Sequence, residues 1–208
     1  MIRSVTSISA PLPLAVAVAV AAVGLTGAGL STAADAPATA AKPSPPADRI
    51  ERGRYLVDTG GCGDCHTPLK IGKKGPEPDL ARLLSGHPEA LKMPPAPKLP
   101  AGPWLVAVAA TNTAWSGPWG VSFTANLTPD AETGLGGWSA KQFADTMRTG
   151  KHLGVGREIL PPMPIPAYKN FNDADLAAIF AYLQSIPAVK NRVPVPRPPA
   201  APASAAKK

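Results

Sequence analysis

The chain has 208 residues and a formal net charge of +7, with 27 prolines, 19 glycines and 5% aromatic residues. This length accommodates one domain with accessory segments rather than two full domains. The basic residues form no arginine-rich helix and are not interleaved with aromatic residues, so nucleic-acid binding has little support.

The first 36 residues have the pattern of an export signal. Arg3 precedes the apolar run "PLPLAVAVAVAAVGL", and Ala34–Ala36 gives the small-residue spacing of a cleavage site. This pattern predicts a signal peptide over residues 1–36. The alternative is an uncleaved membrane anchor, because the uncharged run over residues 4–34 is long enough to span a bilayer. Both interpretations predict an exported domain.

Proline-rich stretches divide the rest of the chain. Residues 37–48 read as a Pro/Ala-rich linker, residues 49–193 as the folded domain, and residues 194–208 as a disordered Pro/Ala-rich tail. Inside the domain, residues 68–120 read as an irregular, Pro-rich insert. Six prolines between Pro88 and Pro103 exclude a long helix or strand there.

Three helices are predicted from apolar periodicity and end signals. The first begins near Asp48 as a cap and stops at Gly60. The second runs from Ser139, a capping residue, to Gly150. The third occupies residues 172–187, between an asparagine cap and a proline. Its predicted buried stripe comprises Leu176, Ile179, Phe180 and Leu183.

The insert shows little regular pattern. It is compatible with one short helix near residues 79–85 and one short strand within residues 102–115. Nowhere is an alternating pattern sustained enough to indicate a sheet-based fold. The sequence therefore predicts an all-α domain with a few short helices and a long loop insert.

The stretch "GGCGDCH", Gly60–His66, contains both cysteines of the chain. A thioredoxin-type dithiol needs a strand before it, whereas a helix precedes it here. A zinc site needs four ligands, and His87 and His152 stand alone without paired spacing. A disulfide between residues three apart would close a very small loop and gain little stability.

Covalent attachment of a haem uses every reactive residue of this motif. Cys62 and Cys65 fall on one side of a single helical turn, where they can form thioethers to the two vinyl groups of one porphyrin edge. His66 then supplies one axial ligand to the iron. The motif therefore predicts one covalently bound haem c.

A second axial ligand has five candidates downstream: Met93, Met147, Met163, His87 and His152. Met147 lies on the apolar side of a predicted helix and suits the core. Met93 falls inside the insert, and both histidines look like surface loop residues. Met163 stands in "LPPMPIP", where prolines fix the backbone around one thioether. It is the favoured ligand.

Four motifs in this order resemble the exported monohaem c-type cytochromes related to the cytochrome subunits of bacterial alcohol dehydrogenases. They are "GRYLVDTGGCGDCHTP", "NLTPDAETGLGGWS", "PPMP" and "DADLAAIFAYLQSIPAV". The resemblance implies the all-α cytochrome c fold, with the first and last helices crossing near Gly53 and Tyr182. The long insert departs from the simplest members of that family.

The resemblance also implies the haem-binding residues: Cys62, Cys65, His66 and Met163. In such a histidine the other ring N–H donates a hydrogen bond to a backbone carbonyl, and the resemblance implies Pro68 as the acceptor. Trp138 and Arg157 are candidates for holding the haem propionates. For Trp138, simple packing against the haem is an equal alternative.

Two axial ligands leave no open position for a substrate on the iron. The sequence therefore predicts an electron carrier of the periplasm rather than an enzyme, with a dehydrogenase, a terminal oxidase or another cytochrome as redox partner. A membrane is involved only if the N-terminal segment is uncleaved. Two alternatives remain open: a haem subunit of one periplasmic dehydrogenase complex, and a haem enzyme or gas sensor with a displaceable sixth ligand.

Overall fold

Five α-helices, five short β-strands and two 3-10 turns, Leu80–Arg82 and His152–Gly154, make up the regular structure of residues 45–199, the part of the chain that this computed structural model describes. The helices are α1 (Ala47–Thr59), α2 (Cys62–His66), α3 (Ala140–Thr149), α4 (Ile165–Tyr168) and α5 (Asp173–Ser185). The strands are β1 (Leu69–Gly72), β2 (Gly75–Pro78), β3 (Ala107–Val108), β4 (Ala114–Gly117) and β5 (Gly120–Phe123). The predicted signal peptide, most of the linker and residues 200–208 lie outside the described residues. No helix within residues 45–199 has both the length and the apolar character needed to cross a membrane.

The first and last long helices cross at Gly53, as the resemblance implied. A Cβ atom on Gly53 would lie 2.0 Å from the carbonyl oxygen of Ala178 and 2.8 Å from Cβ of Tyr182. The two backbones therefore approach so closely that α1 has room only for glycine at this position. Asp48 was predicted as the helix cap but lies in the first turn of α1, because the helix begins at Ala47.

Hydrogen bonds confirm both predicted ends of α3 and the predicted start of α5. Ser139 and Gln142 form a reciprocal capping box, in which each side chain accepts from the other's backbone N–H, at 3.2 and 2.9 Å. Gly150 ends α3 with a φ of 69°, a left-handed conformation that favours glycine. The Asn172 side chain accepts from the Asp175 N–H at 2.7 Å and caps α5.

One apolar core joins these helices. Its buried members are Leu56, Val57, Leu84, Leu135, Phe143, Met147, Leu176, Ala178, Ile179, Phe180 and Leu183. The predicted stripe of α5 is thus buried, and Met147 is a core residue as expected. Cys62, Trp138 and Met163 are partly buried and pack against the same cluster. The first cysteine and the favoured methionine, which are distant in the sequence, are thereby brought to one core.

The prediction of an all-α domain is incomplete, because residues 69–123 contain two small antiparallel sheets. β1 pairs with β2, and β4 lies between β3 and β5. The turn glycines Gly75 and Gly120 have φ values of 117° and 95°. Strands of two to four residues are too short to show an alternating pattern in the sequence, which explains why the sheets were not predicted.

The C-terminal strap, residues 186–199, ties the insert to the rest of the domain. The buried Asn191 amide donates to the carbonyls of Ser85 and His87, at 2.7 and 2.9 Å. Arg197 and Val121 exchange two backbone hydrogen bonds of 2.9 Å. The tail predicted to be disordered from residue 194 is therefore held in place by β5 as far as Arg197, which corrects that boundary.

Candidate haem-binding site

The two cysteines lie in the short helix α2, directly after a sharp turn. Gly60 ends α1, and Gly61 follows with a φ of 68°, which redirects the chain into α2. Cys62 and Cys65 both carry free thiols and are both partly buried. The predicted helix stop thus delivers the two thiols in one turn, as attachment to a single porphyrin edge requires.

The environment of the thiols disfavours the redox-dithiol alternative. Burial raises the pKa of the Cys62 thiol to about 11, and the nearby Asp64 carboxylate acts in the same direction. Burial also raises the pKa of Cys65. Reactive dithiols of oxidoreductases have lowered thiol pKa values, because the thiolate is the nucleophile. Here the protonated form is favoured instead.

His66 is buried and is held in one tautomer. Its Nδ1 lies 2.8 Å from the carbonyl oxygen of Ala125, and a carbonyl can only accept, so Nδ1 carries the proton and donates. The lone pair of Nε2 is then available to a metal. Burial lowers the pKa of His66, which favours the neutral imidazole that a ligand must be.

The acceptor for His66 is not Pro68, which corrects the implied assignment. The Pro68 carbonyl accepts instead from the Asp79 N–H, at 2.9 Å, beside the β1–β2 hairpin. Ala125 supplies the carbonyl from the loop that follows β5. A backbone carbonyl has no side-chain signature, so no pattern in the sequence identifies Ala125 for this role.

Two further residues that the sequence did not point to hold α2 from outside. The Gly86 N–H donates to the His66 carbonyl at 2.8 Å. The Asn112 side chain donates to the Asp64 carbonyl at 2.8 Å. Both come from the insert, whose lack of pattern concealed them. Two residues of the insert therefore hold α2 in place by donating hydrogen bonds to the backbone carbonyls of α2.

The three downstream methionines occupy different places. Met163 is half-buried and packs against the core that Cys62 also contacts. Met147 is buried in that core. Met93 lies in the proline-rich loop, where its carbonyl accepts from Arg197 Nη2 at 3.0 Å. This placement agrees with the choice of Met163, whose ligation remains a prediction.

The expectation that both histidines are surface loop residues is wrong for His87. Its side chain is fully buried, with Nδ1 at 2.9 Å from the Thr113 hydroxyl and Nε2 at 3.0 Å from the Leu91 carbonyl. Both ring nitrogens are therefore engaged. His152 is exposed and meets Trp138 edge-on, with ring centroids 5.1 Å apart.

Trp138 and Arg157 are linked through His152. The His152 N–H donates to the Arg157 carbonyl at 2.9 Å, while the Trp138 ring contacts the imidazole. The Arg157 guanidinium is exposed and donates to the Glu158 carbonyl at 3.2 Å. The two candidates for the propionates thus lie in one neighbourhood, and their role remains a prediction.

The donor set fits haem c. Two free thiols lie in one helical turn, and the adjacent imidazole has one ring nitrogen occupied by a carbonyl and the other available. A partly buried thioether packs against the same apolar core as the first cysteine. These are the groups that thioether attachment and axial ligation require.

The Cytochrome c family model matches residues 50–187, so the chain belongs to the cytochrome c family. Its cofactor is covalently bound haem c, and the two cysteines of the chain allow one such group. A cytochrome c domain transfers electrons through this group.

The chain is also similar to subunits of three named dehydrogenases. The chain is similar to a subunit of the nicotinate dehydrogenase of Pseudomonas putida, at 32% identity over 71% of this chain and 9% of that protein. It is similar to the fructose dehydrogenase cytochrome subunit of Gluconobacter japonicus, at 26% identity over 77% of this chain and 26% of the relative. The gluconate 2-dehydrogenase cytochrome c subunit of Pantoea cypripedii matches at 28% identity over 64% of this chain and 22% of its own length. The chain thus spans about a quarter or less of each of these relatives.

Proposed function

We propose that this protein is a one-electron carrier of the cell envelope whose haem iron is bound by His66 and Met163. The observation that carries the proposal is the hydrogen bond from His66 Nδ1 to Ala125, which leaves Nε2 available to iron. Haem c supplies an iron centre that alternates between the ferric and ferrous states. If His66 and Met163 both held the iron, no position would remain on it for a substrate.

His66 and Met163 would affect the change between the ferric and ferrous states in different ways. The Ala125 carbonyl orients the His66 ring and makes Nε2 more basic. The Met163 thioether is neutral and soft, and as a ligand it would favour the ferrous state and raise the reduction potential. Because both ligands belong to packed or hydrogen-bonded segments, little rearrangement accompanies electron transfer.

The proposed partner is a dehydrogenase that passes electrons to this chain. Support comes from the relatives, which are named as subunits of nicotinate, fructose and gluconate dehydrogenases. The proposed location, the periplasm, is supported by the export pattern of residues 1–36.

The ligand assignment is tested by replacing Met163 with alanine in the haem-loaded protein. The ferric wild type should show the weak far-red band of an iron–thioether bond, and Met163→Ala should abolish it while the haem stays covalently attached. Met93→Ala is the matched control, since that residue also lies in a proline-rich loop. Loss of the band in Met93→Ala, with Met163→Ala unchanged, would show that the assignment is wrong.

A further inference from the structure

The Met163 segment has little capacity to fix itself through its own backbone. Four of the six residues 161–166 are prolines, which have no N–H to donate. Inside the segment, the Ile165 N–H donates to the Met163 carbonyl at 2.9 Å. Donors that hold the segment to the rest of the protein must therefore come from other parts of the chain.

One such donor is Ser122, on strand β5. Its Oγ lies 2.5 Å from the carbonyl oxygen of Pro161, two residues before Met163. The second carbonyl near this hydroxyl, that of Trp115, is 3.4 Å away, so the single hydroxyl proton goes to Pro161. Trp119 Nε1 lies 3.3 Å from the same Oγ and donates to it.

These bonds form a chain from indole to hydroxyl to carbonyl. Ser122 is buried, with 6% of its surface exposed, so water does not readily replace either partner. A hydroxyl that accepts one hydrogen bond donates a stronger one, since the two polarise each other. Removal of Oγ would leave the Trp119 N–H and the Pro161 carbonyl without this partner.

The second donor is Tyr168, which follows the segment two residues after Pro166 and donates outward from it. Its hydroxyl donates to the carbonyl of Gly60, two residues before Cys62. The Tyr168 ring packs on Phe171, with ring centroids 5.7 Å apart. The backbone N–H of Tyr168 donates to the Pro164 carbonyl at 3.1 Å. This side chain therefore connects the Met163 segment directly to the haem-attachment turn.

The β5 region serves both axial ligands. Ala125, three residues after Ser122, accepts the hydrogen bond from His66, while Ser122 holds the Met163 segment. One continuous stretch of backbone thus sets the positions of both ligand-bearing segments. This links the end of β5 and the loop that follows it to both residues proposed to bind the iron.

We infer that Ser122 and Tyr168 are positioning residues that clamp the Met163 segment at Pro161 and just after Pro166 and thereby hold its thioether on the iron. The inference rests on the proposed ligation by Met163. Neither side chain need touch the haem: each fixes a backbone carbonyl. The clamp matters because a neutral thioether binds iron weakly enough for an external ligand to compete.

The experiment measures how tightly imidazole, a competing sixth ligand, binds the ferric haem-loaded protein. Ser122→Ala and Tyr168→Phe should each tighten imidazole binding by between about twofold and tenfold, because each removes one hydrogen bond that favours the closed segment. The double variant should bind more tightly than either. Ser116→Ala on β4 and Tyr55→Phe on α1 are matched controls and should bind as the wild type does.

A general structural role would not give this pattern. Ser122→Thr keeps the hydroxyl and should restore wild-type imidazole binding and the far-red band, whereas behaviour like Ser122→Ala would overturn the inference. Wild-type affinity in both Ser122→Ala and Tyr168→Phe would overturn it as well, provided that Met163→Ala loses the band. If Met163→Ala keeps the band, the proposed ligation itself has failed, which is a separate result.

Discussion

The domain holds its site with two regions of different character. The helical framework, α1, α3 and α5, surrounds an apolar core and meets the haem motif through packing. The polar half, residues 67–126, has short strands and irregular loops, and it meets the motif through hydrogen bonds to backbone carbonyls. The two regions therefore differ in what they contribute. Packing in the helical framework stabilises the domain, and hydrogen bonds from the polar half orient the residues proposed to bind the haem.

The largest effect is expected at the helix crossing. Gly53→Ala should destabilise the domain by about 3 kcal/mol or more, because its Cβ would meet the Ala178 backbone and the chain cannot move aside. Denaturant unfolding of the haem-loaded protein measures this. Gly102→Ala is the control, since a Cβ there meets nothing within 4 Å, and it should be close to neutral. Equal stability of the two variants would contradict the packing account.

A smaller and more local effect is expected in the polar half. Asn191 donates to Ser85 and His87, and its Oδ1 accepts from the Glu89 N–H at 2.8 Å. Asn191→Ala should lower the free energy of unfolding by about 2 kcal/mol, because three backbone groups lose their partner. Hydrogen exchange should quicken around residues 85–89 before it changes in α1 and α5. Asn170→Ala, at an exposed site, is the control, and uniform acceleration across the domain would argue against separable regions.

The smallest effect is a dependence on pH that His87 introduces. Burial is the main cause that lowers the pKa of His87, and the charges of Arg197 and Lys92 add to it. A histidine with a lowered folded pKa binds protons more readily when unfolded, so its stabilising contribution is present above its unfolded pKa of about 6.5 and is lost as the pH falls toward the folded value.

His87→Gln should therefore flatten the loss of stability on acidification, by about 1 kcal/mol between pH 7 and pH 5. Denaturant unfolding of the wild type and His87→Gln at several pH values measures the difference. If the free energy of unfolding depends on pH in the same way for the wild type and His87→Gln, His87 does not cause the loss of stability at low pH.

The two regions also differ in how far the sequence predicts them. Caps such as Ser139 and Asn172, and the stripe on α5, predict the framework because helix signals are local. The small sheets were missed, since their strands are too short for an alternating pattern. His87 was misplaced on the surface, because the contacts with Thr113 and Leu91 that bury it depend on how the loops fold together.

The site divides in the same way. Cys62, Cys65 and His66 are predicted by one local motif, and the family match supports their role with haem c. Pro68 was wrong as the acceptor for His66, because Ala125, 59 residues from the histidine, acts through a backbone carbonyl. Any residue can supply a backbone carbonyl, so the sequence does not show which distant residue accepts this hydrogen bond.

The central claim, electron transfer by a six-coordinate haem, is tested most directly by the visible spectrum of the ferrous haem-loaded protein with and without carbon monoxide. If His66 and Met163 both bind the iron, the spectrum is low-spin and carbon monoxide leaves it unchanged. Strong binding of carbon monoxide by the wild-type protein would contradict the account and favour a haem enzyme or a gas sensor.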